Sequence, residues 1–260
     1  SACLVGSEMC IRDRGRISSA PALHSWVPNF LLPHQKNALL ASVPRVGFHV
    51  WAPPGAGKTL VGLAWAAATI GPRLVVTRAA ARGTWKEEAR KYTNFRPVLL
   101  MGKKPEKLSR NTNILYITAW ETLIDWQEAI EELKPYSIIF DEIHAAKNPR
   151  RSKRVIMEDG STKYEDLGNM ASASHRVANA CSRRLGLTAT PIPNRPRDLW
   201  AQLDLCEPWQ WGTFHQFGVR YCAGYKDAYG FKYDGLSNQT ELNDRLGFCK
   251  HKTSPQASAS

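Results

Sequence analysis

Trp51-Ala52-Pro53-Pro54-Gly55-Ala56-Gly57-Lys58-Thr59 decides the fold of this chain through what lies on either side of it. The apolar run Val46 to Trp51 predicts a buried strand, and Leu60 to Thr69 predicts a helix, so the glycines fall at a strand-to-helix turn. There Pro54, Gly55, Ala56 and Gly57 form a loop whose backbone N–H groups converge on a phosphate, helped by the positive end of the following helix. Lys58 is placed to neutralise the outer phosphates and the Thr59 hydroxyl to ligate magnesium, which makes ATP with Mg2+ the expected ligand. The position where this loop usually begins with glycine holds Ala52.

A second box strengthens the first. Ser137-Ile138-Ile139-Phe140 reads as an apolar strand that ends in Asp141-Glu142-Ile143-His144. Acids at the carboxyl end of a strand face the ligand crevice of an open α/β sheet. Asp141 is the candidate magnesium ligand and Glu142 the group that orients and polarises the attacking water. Working outward, apolar strands are predicted near residues 46–51, 73–77, 97–101, 113–118, 137–140 and 184–188, separated by helix-length segments. That alternation predicts an α/β fold, a mainly parallel sheet with helices on both faces.

Further segments, in order, carry a family resemblance. They are Leu32-Pro33-His34-Gln35-Lys36, Leu74-Val75-Val76-Thr77, Gly83-Thr84-Trp85-Lys86-Glu87-Glu88 and Ile114 to Thr118. After the acid box come Ala146-Lys147-Asn148-Pro149, Leu187-Thr188-Ala189-Thr190-Pro191 and Asp198-Leu199-Trp200. With the two nucleotide boxes these resemble the first RecA-like lobe of a superfamily 2 helicase or translocase of the Snf2 group. Phe214 to Cys222 and Tyr233 to Asn238 resemble the segment that follows this lobe in the annealing-helicase branch.

The resemblance implies a DNA-dependent ATPase that moves on or remodels double-stranded or forked DNA, with RNA a less favoured track. It implies roles as well: Gln35 at the adenine, His144 at the nucleotide, and Thr77, Arg78, Thr118, Thr188 and Thr190 in nucleic-acid contact and coupling. Domain limits follow: a foreign-looking leader over 1–20, the ATP-binding lobe over 21–206, a helical, aromatic extension over 207–246, and a non-native or disordered tail from 247. Nothing after Gly247 resembles the second RecA-like lobe, whose arginines complete the site in this group, so the chain alone is expected to bind nucleotide far better than it hydrolyses it.

Three departures stand out. Ile143 replaces a small residue, Arg78 stands where proline is frequent, and the polar stretch Met157 to Met170 reads as an inserted surface loop. Two other functions compete with the translocase lobe: a P-loop kinase or transport ATPase, against which the Asp-Glu-x-His and Thr-Ala-Thr boxes argue, and a DNA-binding module without catalysis.

Composition is consistent with a nucleic-acid partner. The formal charge is +12 over 260 residues, and discounting both tails leaves most of it. Clusters at Lys147, Arg150, Arg151, Lys153 and Arg154 and at Arg78, Arg82, Lys86, Arg90 and Lys91 favour salt-sensitive, sequence-independent binding of a phosphate backbone. The six cysteines have no zinc spacing, so no metal beyond magnesium is expected. No apolar run is long enough to span a bilayer and no secretory leader is visible, which predicts an intracellular protein.

Overall fold

The computed structural model describes residues 27–103, 105–146, 152–156, 162–166, 170–190, 197–228 and 230–252. Helix α1 (Pro33–Ser42) precedes β1 (Gly47–Trp51), α2 (Lys58–Ala67), β2 (Arg73–Thr77), α3 (Arg82–Tyr92), β3 (Arg96–Leu99), β4 (Ile114–Ala119), α4 (Leu123–Leu133) and β5 (Ser137–Asp141). Then come β6 (Ser152–Ile156), β7 (Thr162–Asp166), α5 (Met170–Asn179), β8 (Arg183–Thr188), α6 (Arg197–Cys206), α7 (Phe214–Tyr221), β9 (Tyr225–Asp227), β10 (Gly230–Lys232), α8 (Gln239–Cys249) and β11 (Lys250–Lys252).

The main sheet has seven strands in the order β11-β1-β8-β5-β2-β4-β3, with every pairing parallel. Its central strands are apolar on both faces because both are covered. Leu74, Val76, Ile138 and Phe140 pack under α4 and α5, while Val75 and Ile139, one residue out of phase, pack under α1, α2 and α3. This period of two, buried on each side, is the signature of a parallel sheet between helical layers.

A third apolar cluster joins Leu199, Trp200 and Leu203 of α6 to Trp211, Phe217, Tyr221 and the α8 residues Leu242 and Leu246. Trp51 at the end of β1 belongs to this cluster, so the aromatic segment after α6 is packed against the sheet beside the glycine loop.

Buried arginines anchor the opposite edge. Arg73 donates to the carbonyls of Ala66, Thr69, Gly71 and Thr112, and Arg183 to those of Val43 and Arg45. Arg184 donates to the Ala178 carbonyl at 2.9 Å. Each guanidinium thus satisfies carbonyls at a helix C-terminus, where the helix dipole also favours positive charge. These arginines are 7–8 % exposed, so they hold the scaffold together and add little to the surface field that composition alone suggested.

Two expectations are corrected here. The stretch read as a loop from Met157 contributes strand β7, which pairs antiparallel with β6 in the register Ser152↔Asp166 through Ile156↔Thr162. The helix expected to break at Leu246 continues to Cys249, and Lys250–Lys252 then pairs with His49 to Trp51 at the sheet edge. Lys147 to Pro149, Arg150, Arg151 and Pro191 to Asn194 lie outside the described residues.

Candidate nucleotide site and its link to the acid box

All the candidate elements lie at the carboxyl edge of the sheet. The glycine loop leaves β1, Arg78 follows β2, Asp141 ends β5 and Thr188 ends β8. Strand register sets their order, since Trp51 pairs with Thr188 and Leu187 with Asp141, leaving one strand between the glycine loop and the acid box. Ala52 N–H donates to the Thr188 carbonyl at 3.1 Å and carries the ladder one residue past β1.

Within the loop, Gly55 and Gly57 have φ of +77° and +74°, left-handed conformations that favour glycine. Gly57 is the N-cap of α2, so Lys58 and Thr59 open the helix and their N–H groups belong to its unsatisfied first turn. Lys58 Nζ donates to the carbonyls of Ala52 at 3.0 Å and Pro53 at 3.3 Å, which folds the ammonium over the loop. Pro54 is exposed and Thr59 half-buried.

Gln35 is only 4 % exposed and ties α1 to the loop. Its Nε2 donates to the Ala56 carbonyl at 3.0 Å, and its Oε1 accepts from Leu32 N–H at 2.9 Å. A Cβ on Gly57 would lie 2.1 Å from that Nε2. The structure therefore places Gln35 as a clamp on the glycine loop. His34 adds a second contact, with Nε2 3.1 Å from the Ala56 carbonyl.

Asp141 is held from three directions. Its Oδ2 accepts from Thr77 Oγ1 at 2.7 Å and from Trp85 Nε1 at 2.9 Å, and its Oδ1 accepts from Glu142 N–H at 3.1 Å. Trp120 stacks on Phe140 with ring centroids 5.5 Å apart and donates to the Asp141 carbonyl at 2.8 Å. Sequence reading missed both tryptophans as parts of the site. The available signal is chemical: a buried indole N–H must find an acceptor, and the strand-end acid is one.

One helical turn beyond Trp85, Glu88 has an Oε2 that is buried and without a hydrogen-bond partner. Burial, reinforced by the charge of Asp141 and opposed by Lys91, raises the pKa of Glu88 above the usual carboxylate value. Excess acceptors of this kind suit a site that receives a hard cation.

Glu142 adopts φ of +50°, a left-handed backbone that a residue with a Cβ rarely takes. The carboxylate is turned toward His144, with Oε2 3.2 Å from Nδ1. The same ring nitrogen lies 3.0 Å from Thr188 Oγ1 and 3.4 Å from Thr190 Oγ1, while Nε2 lies 2.8 Å from Arg78 Nη2. Four of the predicted residues, Glu142, His144, Thr188 and Thr190, are thereby brought together, with Arg78 as the exposed end of the chain of contacts.

Two of the residues expected in nucleic-acid contact or coupling are buried. Thr77 and Thr118 have no exposed surface. Thr77 supports Asp141 and Thr118 faces Thr122 Oγ1 at 3.2 Å, because both residues lie within fully buried strands that turn their hydroxyls inward.

Comparison with known proteins agrees with this architecture. Residues 50–247 match the SNF2-related domain. The chain is 26 % identical over 221 residues to the Caenorhabditis elegans homolog of SWI/SNF-related matrix-associated actin-dependent regulator of chromatin subfamily A-like protein 1, covering 82 % of this chain and 29 % of that protein. It is 26 % identical over 240 residues to the DNA annealing helicase and endonuclease ZRANB3 of Bos taurus, covering 83 % of this chain and 20 % of that protein. The chain thus spans less than a third of either relative.

In fold it is similar to the SWI2/SNF2 ATPase core of Sulfolobus solfataricus in complex with double-stranded DNA, with a TM-score of 0.66 at 19 % identity over 88 % of this chain and 45 % of that one. A second structure, of the Sulfolobus solfataricus SWI2/SNF2 ATPase core domain, gives a TM-score of 0.68 at 20 % identity, over 93 % of this chain and 47 % of that one. With a RecA-like sheet, a glycine loop and an acid box in the expected order, and a match over most of its length, the chain belongs to the SNF2-related domain family.

Proposed function

We propose that this chain is the ATP-binding lobe of a DNA-dependent ATPase that moves on or remodels duplex DNA. The lobe occupies residues 21–206 and the helical extension residues 207–246. The observation that carries the reading is the joining of the acid box to the segment after β2, through Thr77 and Trp85 on Asp141 and Arg78 on His144. A nucleotide site wired so directly to a surface segment suits an enzyme whose hydrolysis answers to what that segment touches.

In this reading the loop from Pro54 to Gly57 and the first turn of α2 cradle the phosphates, and Lys58 leaves the Ala52 and Pro53 carbonyls to pair with them. Thr59 and Asp141 would hold Mg2+, which offsets phosphate charge when bound. Thr77 and Trp85 fix the rotamer of Asp141, and Glu142 orients water. Gln35 steadies the loop beneath the base. A second RecA-like lobe supplies the arginines that complete turnover, and the protein works within the cell where its DNA lies. Among the described residues no helix is long and apolar enough to cross a membrane.

Backbone-directed binding has a measurable signature. Fluorescence anisotropy with a labelled duplex of mixed sequence will give an affinity that falls steeply with salt, log K decreasing by about 0.9 per log unit of salt for each phosphate neutralised, and indifferent to sequence. Replacing Arg82, Lys86 and Arg90 together with Glu will weaken every duplex alike. Failure of the wild-type chain to bind duplex at low salt would sink the translocase reading.

A further inference from the structure

Arg78 sits at the surface, at the N-cap of the short 3-10 turn Ala79–Ala81 that follows β2, yet its guanidinium ends 2.8 Å from a ring nitrogen of His144. The chemistry of that contact is directional. A guanidinium has only N–H donors and does not lose its proton in proteins. His144 Nε2 must therefore present its lone pair, so the neutral ring carries its hydrogen on Nδ1. On that side lie the Glu142 carboxylate at 3.2 Å and the Thr188 hydroxyl at 3.0 Å. A carboxylate accepts and cannot donate, so an N–H on Nδ1 is what joins His144 to Glu142.

We propose that Arg78 is a positioning residue for ATP hydrolysis: by selecting the Nδ1–H tautomer of His144 it holds the Glu142 carboxylate in place. The proposal rests on the reading of Glu142 as the water-orienting group and extends it to a residue outside the nucleotide boxes. Glu142 needs such support, since its own backbone is left-handed and its side chain half-buried. Without the guanidinium, His144 is free to carry its hydrogen on Nε2. Nδ1 and Oε2 would then face each other as two acceptors, and the carboxylate would swing away.

The test uses the whole chain with its histidines 15N-labelled, the His144 signals being assigned by their loss in His144→Asn. The ring nitrogen shifts report the tautomer directly. Wild type shows Nδ1–H. Arg78→Ala loses it. Arg78→Lys retains it, because an ammonium also only donates. In parallel, magnesium-ATP affinity stays within about twofold while the single-turnover hydrolysis constant falls roughly 10- to 100-fold in Arg78→Ala, the cost of a misplaced catalytic group, and recovers in Arg78→Lys.

An unchanged tautomer in Arg78→Ala overturns the proposal. Wild type that does not bind magnesium-ATP, even with the expected tautomer pattern, counts instead against the proposed nucleotide site. The two failures are thus read from different signals.

Discussion

Gly57→Ala will lower magnesium-ATP affinity roughly a hundredfold while leaving the sheet intact. Gly57 has φ of +74°, and a Cβ there would lie 2.1 Å from Gln35 Nε2. A left-handed backbone costs an alanine about 1–2 kcal/mol. Displacing Gln35 from the Ala56 carbonyl forfeits a hydrogen bond worth about 1 kcal/mol. The sum, about 2–3 kcal/mol, corresponds to roughly a hundredfold in binding. The cost falls on a loop at the sheet edge, so far-UV dichroism will be unchanged and isothermal titration will show the loss. Gly55→Ala separates the two contributions, because Gly55 shares the positive φ but nothing lies within 4 Å of its Cβ position. It should cost only the backbone part.

The second large effect is on stability against acid. His49 lies in the middle of β1 with no exposed surface, and neither ring nitrogen has a hydrogen-bond partner. Gly186 across the ladder makes room for it, since a Cβ there would come within 2.8 Å of His49 Nδ1. Burial pushes the His49 pKa from 6.5 down to about 3. The unfolded chain therefore binds a proton that the folded chain refuses. This folded pKa is depressed, so the associated stability is fully present above pH 6.5 and is lost as pH falls toward 3. A shift of that size corresponds to about 5 kcal/mol across the window, an order-of-magnitude figure.

Urea denaturation between pH 7 and pH 4 will show falling stability. His49→Leu, which keeps the position filled and removes two unpaired polar atoms, will flatten that fall and leave the protein more stable at pH 5. Equal acid slopes in the two proteins would show that His49 is not the group responsible.

The strands were legible in the sequence because a covered parallel sheet writes short apolar runs between helix-length segments. Strand β2 falls where the sequence placed it, and the other five start or end one or two residues away. The β6–β7 hairpin was not legible, since Thr162-Lys163-Tyr164-Glu165-Asp166 has no apolar alternation to set against its charge. The extent of α8 was hidden by Gly247, which reads as a stop signal but lies within the helix.

At the site, the motif residues and Arg78 were named from the sequence, while the tryptophans that support the acid box were not. Lys58, Asp141, Glu142 and His144 are marked by their neighbours in sequence. Trp85 and Arg78 matter because β2, β5 and β8 run side by side, which brings residues more than fifty positions apart into hydrogen-bond range. Thr118, expected in nucleic-acid contact or coupling, lies inside β4 with no exposed surface and its hydroxyl 3.2 Å from Thr122 Oγ1. Net charge misleads similarly, since Arg73, Arg183 and Arg184 are bound to helix carbonyls.

The most direct measurement is a calorimetric titration of magnesium-ATP into this chain, run beside Lys58→Ala. Lys58 donates only to the Ala52 and Pro53 carbonyls, so removing it disturbs the fold little. It deletes the charge that meets the phosphates, a charge-assisted contact worth about 1.5–3 kcal/mol. The account predicts saturable one-site binding to the wild type, weakened at least tenfold in Lys58→Ala and dependent on magnesium. Equal heats from both proteins, or no binding to the wild type, would contradict the assignment of the glycine loop as a nucleotide site.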